Sequence, residues 1–129
     1  SKGNNLSEQI IEESILRHFG KTRLTYDESW PMKYYLEKIS KLCLDHGIKI
    51  ILVNTPLYSS YSERVPTFFK NLNSCFADEL SNKYKNIVYW DYSDMTLAKD
   101  HYGDGDHLNE QGMNHFSKII RQRLQQNAN

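Results

Sequence analysis

Cysteine, proline and glycine are all scarce in these 129 residues, at two, three and six. Two thiols without Cys-x-x-Cys spacing exclude a disulfide-rich scaffold and a zinc site built on clustered soft ligands. Cys43 and Cys75 each fall among apolar residues of an expected helix, the usual place for a small buried thiol. Charge of one sign is missing too: 16 basic and 16 acidic side chains give a formal net charge of zero. No global field therefore recruits nucleic acid or an anionic membrane, and no nucleic-acid partner is expected. No run approaches the roughly 18 apolar residues of a membrane span, and no signal-peptide pattern opens the sequence. What remains, 39% apolar and 25% charged, is the composition of one globular domain over 1–129.

Periodicity organises that domain. Leu6, Ile10, Ile11, Ile15, Leu16 and Phe19 recur at helical spacing and Gly20 is a natural stop, so residues 1–29 read as an N-terminal helix followed by a linker. Asp27 or Ser29 can cap a second helix whose stripe of Met32, Tyr35, Leu36, Ile39, Leu42 and Cys43 is expected to face the core. After Gly47, the short apolar run Ile48 to Val53 has the pattern of a strand buried on both faces of a parallel sheet. Leu57 to Val65 has no period and reads as a loop. Pro66 then opens a helix with Phe69, Leu72, Phe76 and Leu80 on one face, and Ile87 to Asp91 is a second strand. A helical turn is expected between Met95 and Asp100, and Asn109 is placed to cap a last helix buried through Met113, Phe116, Ile119, Ile120 and Leu124. The expected class is α/β, a partial doubly wound, flavodoxin-like parallel sheet with flanking helices.

Chemistry concentrates in Asp104-Gly105-Asp106-His107-Leu108-Asn109-Glu110-Gln111-Gly112. In a tight turn a carboxylate at i reaches an imidazole at i+3, fixing the tautomer and leaving the far nitrogen as a proton acceptor. The bare spacing is weak, since eight aspartates and five histidines would produce it about 0.3 times by chance. Leu108, Asn109 and Gly112 make it more specific. With them the chain resembles the SGNH (GDSL-type) hydrolase superfamily, whose last block is Asp-x-x-His before the C-terminal helix; Ile50 to Pro56 also resembles that family's penultimate strand. The likeness runs roughly from Trp30 to Leu124. It implies Asp104 as the orienter and His107 as the general base of a serine-esterase mechanism that needs no cofactor, acting on an O-acyl ester of a small molecule or carbohydrate.

The family's Gly-Asp-Ser nucleophile block occurs nowhere in the sequence, and neither do its glycine and asparagine oxyanion blocks. The chain therefore reads as a C-terminal portion of such a fold, inert by itself. Two strands do not make an independent parallel sheet, so a homodimer or an N-terminal segment is expected to complete it. The alternative is a non-catalytic binding or assembly domain of the same fold. Tyr58 and Tyr61, following the first strand, would face the edge where open α/β sheets bind ligands and are the candidate substrate contacts. Asp100, His101, Asp104, Asp106 and His107 could also suggest a divalent cation, but a contiguous acidic loop is more often solvated, and no metal is assigned.

Overall fold

The computed structural model describes residues 6–20 and 30–127. Among them are five helices and one two-stranded parallel sheet, an α/β arrangement. Helix α1 spans Glu8–Phe19; Ser7 caps it by accepting a hydrogen bond from the Ile10 N–H, and Gly20 ends it. Helix α2 spans Trp30–Asp45 and is followed by Gly47 at φ +68, a left-handed turn that glycine makes without strain. The expected linker and the caps Asp27 and Ser29 lie outside the described residues.

Strand β1, Ile50–Asn54, pairs with β2, Ile87–Asp91, in register from Ile50 opposite Ile87 to Asn54 opposite Asp91. The crossover between them holds α3, Ser59–Arg64, and α4, Thr67–Lys83. A 3-10 turn at Lys99–His101 leads into the acidic loop, and α5, Glu110–Gln126, closes the chain.

Four expectations are corrected. The segment after β1 is not a loop throughout: Ser59–Arg64 is a helix, held by N–H donation from Ser62 to the Tyr58 carbonyl and from Val65 to that of Tyr61. It is too short to reveal a helical period in sequence. The α2 stripe does not form a core, since Met32, Tyr35, Ile39 and Leu42 are all exposed; only Ser40 is buried in that helix, its hydroxyl donating to the Leu36 carbonyl at 2.7 Å. Nor is β1 covered on both faces, for Val53 is exposed as well. The physical reason is common to both: no third strand exists among the described residues for the stripe to cover. Cys75, Met113 and Leu124 are likewise exposed rather than buried.

Helix α2 instead turns inward the face of Leu36, Ser40, Cys43 and Leu44, of which Ser40 is buried and the others are half-buried. Lys83 of α4 pairs with Glu37 at 2.9 Å, and the Lys33 ammonium lies 5.0 Å from the Phe76 ring centroid. Helix α5 packs on the sheet through Phe116, edge-on to Tyr92, and through Arg123, whose guanidinium lies 4.3 Å from the centre of the Trp90 ring. A cluster of fully buried side chains sits beside the acidic loop: Leu6 and Ile11, brought by α1 and its lead-in, with Tyr61 and Tyr102. At about 1.5 to 3 kcal/mol for each fully buried large aliphatic side chain, this seam is what fixes α1 against the loop.

Candidate active site

The acidic loop is shaped by backbone ties. Tyr102 and Leu108 form an antiparallel bridge, the Gly103 N–H donates to the His107 carbonyl at 2.9 Å, and the Asn109 N–H donates to the His101 carbonyl at 3.0 Å. Asn109 caps α5 by accepting from the Gly112 N–H at 3.0 Å, while its amide donates to the carbonyls of Asp100 and Tyr102. Gly112 lets the His101 carbonyl approach the helix; a Cβ there would overlap it. Gly105 does the same for the Tyr61 ring, whose nearest carbon would lie 2.5 Å from an added Cβ.

Within this frame, Asp104 accepts hydrogen bonds from the backbone N–H of Asp106 at 3.1 Å and of His107 at 2.8 Å. The same carboxylate faces Nδ1 of His107, at 3.0 Å from Oδ1 and 3.1 Å from Oδ2. With Nδ1 carrying the proton toward the carboxylate, Nε2 is the acceptor nitrogen. It has no hydrogen bond among the described residues, and the His107 side chain is 67% exposed. Burial pushes the Asp104 carboxyl up, but the two backbone N–H groups and the imidazole outweigh it and hold the group below its ordinary range.

Asp106 has the opposite balance. Burial and the nearby Asp104 charge raise it, against the attraction of His18 and His107. Its Oδ1 is buried without a hydrogen bond, 3.5 Å from His107 Nδ1 and 3.8 Å from the Arg17 guanidinium. Arg17 also stands 3.6 Å from Asp104, and His18 lies 3.7 Å from Asp106 while its Nδ1 meets the Tyr61 hydroxyl at 2.8 Å. Arg17 and His18 lie in the last turn of α1, beside the apolar stripe that marks that helix in the sequence. No local pattern links α1 to a loop so distant in the chain.

The two tyrosines are placed differently. Tyr61 lies on α3, 3% exposed, with its hydroxyl turned to His18; burial first, then the Asp106 charge, pushes that hydroxyl up to about 12. Tyr58 lies edge-on to Tyr102 and lines a small cavity of about 190 Å³. A larger one, about 430 Å³, opens at the carboxyl ends of both strands, where Asn54 and Asp91 stand, and reaches Asp106 and one side of Tyr61.

Asp104, Asp106 and His107 each offer a ligand atom within 4.8 Å of the others and could together hold a metal ion. Arg17 already sets a positive charge against both carboxylates, and the imidazole nitrogen nearest them is the one committed to Asp104. Asp100 and His101 pair with each other rather than joining the group.

A family model matches residues 19–129, and the family it describes is of unknown function. The chain belongs to that family. No curated protein matches the chain, and no solved structure does.

Proposed function

We propose that the Asp104–His107 pair is the general-base half of a serine-esterase-type site in an SGNH-hydrolase-like, doubly wound fold, acting by hydrolysis or transfer of an O-acyl group. One observation carries the proposal: both oxygens of a backbone-anchored carboxylate face Nδ1, and Nε2 is left without a partner. In the mechanism, Nε2 takes the proton of an attacking hydroxyl as that oxygen bonds to the acyl carbon, and Asp104 stabilises the imidazolium. The proton then passes to the departing alkoxide as the acyl–oxygen bond breaks.

The hydroxyl is supplied from outside the described residues. Ser40 and Ser81 donate to carbonyls of their own helices, Ser60 faces Glu8, and among the described residues no serine hydroxyl is bonded to His107. An N-terminal segment brings it, and that segment or a second copy supplies strands that extend the sheet beneath the exposed stripe of α2.

The test is hydrolysis of p-nitrophenyl acetate by protein expressed with its native upstream coding sequence and by the 129-residue chain alone. The longer protein should lose roughly 100- to 10,000-fold on His107→Ala, the range of general-base catalysis, while the shorter chain stays near background. Equal turnover by the two, or indifference of the longer one to His107→Ala, refutes the assignment.

A second reading, a non-catalytic binding or assembly domain, is favoured by a different observation. Asp104, Asn109 and Gly112 all serve the local architecture of the turn and helix start, whatever His107 does.

A further inference from the structure

The 430 Å³ cavity at the carboxyl edge of the sheet has a wall whose chemistry selects a class of ligand. Its lining includes the rings of Phe19 and Phe69, tilted against each other with centroids 5.1 Å apart. Polar lining comes from Asn54 and Asp91 at the strand ends and from Asn73, Ser74 and Lys70 on α4. Asp91 is locked by the Asn54 amide at 3.1 Å and by the Ser93 N–H at 2.9 Å, so its hydrogen bonds with them hold it below the usual carboxylate range despite burial.

Three carboxylates, those of Asp91, Asp94 and Asp106, line the cavity against one ammonium, Lys70. That excess repels phosphate and carboxylate ligands. A quaternary ammonium would use the carboxylates and the rings but would leave the amide and lysine donors unanswered, at a cost for each one desolvated. A long acyl chain would strand all the polar groups. A neutral polyhydroxylated ring answers every part: its hydroxyls both donate and accept, and its C–H face covers the phenyl rings.

We infer that this cavity is a saccharide-binding site, taking a neutral sugar ring against the Phe19–Phe69 pair with its hydroxyls met by Asn54, Asn73 and Asp94. Asp106 connects the cavity to the histidine, lining the one and lying 3.5 Å from Nδ1 of the other. That the sugar is the alcohol side of an ester handled by His107 rests on the proposed function; occupancy of the cavity does not.

The experiment is an amide-resolved NMR titration of the 129-residue chain with methyl β-glucopyranoside, diacetylchitobiose and xylobiose, against glucose 6-phosphate and choline as the charged arms. At least one neutral saccharide should saturably move the amides of Asn54, Phe69 and Asn73 below about 50 mM, with glucose 6-phosphate and choline at least tenfold weaker. Asn73→Ala and Asp94→Ala, both at exposed positions and so safe for folding, should each weaken binding severalfold to tenfold. Absence of saturable shifts with all three saccharides overturns the inference, as does tighter binding of either charged arm or binding indifferent to both variants. His107→Ala separates the two readings. Saccharide binding that survives it, beside an esterase assay that never responds to it, leaves the cavity standing and removes the catalytic proposal. Turnover that depends on His107, beside no saturable saccharide shift, does the reverse.

Discussion

Replacing Gly112 by alanine should destabilise the protein, although it puts the best helix former in place of one of the worst. In an open helix the exchange gains at most about 1 kcal/mol. Here an added Cβ would lie 3.0 Å from the His101 carbonyl carbon and overlap its oxygen, so either α5 or the 3-10 turn must move. Overpacking of that kind costs about 1 to 3 kcal/mol. The movement also pulls on two hydrogen bonds, Gly112 N–H to the Asn109 side chain and Asn109 N–H to the His101 carbonyl, and a lost N-cap costs about 1 kcal/mol more. The balance is a loss of about 1 to 3 kcal/mol, or a melting temperature lower by roughly 3 to 10 °C. Urea denaturation measures it, with Gly103→Ala as the control; there a new Cβ would meet nothing closer than 3.8 Å, so stability should change by less than about 0.5 kcal/mol. A Gly112→Ala protein more stable than the parent would show that the close approach of His101 to α5 is not the constraint described.

The two aspartates of the loop should respond to neutralisation with opposite signs. Asp104 titrates lower folded than unfolded, so its contribution is present above about pH 4 and lost as pH falls through the folded value; Asp104→Asn should melt earlier than the parent near pH 7, with the gap closing toward about pH 2. Asp106 titrates higher when folded, so what it contributes is complete below about pH 4 and lost as pH rises through its raised value; Asp106→Asn should melt later near pH 7, and thermal melts giving both variants the same sign would contradict the assignment. Ile39→Lys, on the exposed stripe of α2, should leave monomer stability within about 0.5 kcal/mol while dissociating any assembly seated on that face, as sedimentation at matched concentrations would reveal.

Legibility in the sequence tracked the range of the interactions involved. Strand β2 has the bounds its β-rich run implies, and the Asn109 cap of α5 follows from chemistry confined to one turn. The contact between Asp104 and His107 is equally local, an i to i+3 geometry. Helix α2 marks where this reasoning stops: periodicity identifies which side chains share a face, but Met32, Ile39 and Leu42 share one that nothing among the described residues covers. Helix α3 is a six-residue segment whose Tyr61 is buried by what surrounds it, with no pattern of its own. Arg17, His18 and the polar wall of the large cavity come together only through tertiary packing, so no motif could have announced them.

Helix α1 touches the matched family segment only at its last residue, Phe19. The guanidinium that balances Asp104 and Asp106, and the imidazole that engages Tyr61, therefore belong to a stretch lying outside the shared module. In relatives with a different sequence at this position, the same turn would sit in a different electric field. The charge balance around its two carboxylates would then be set family member by family member, by an appendage rather than by the motif itself.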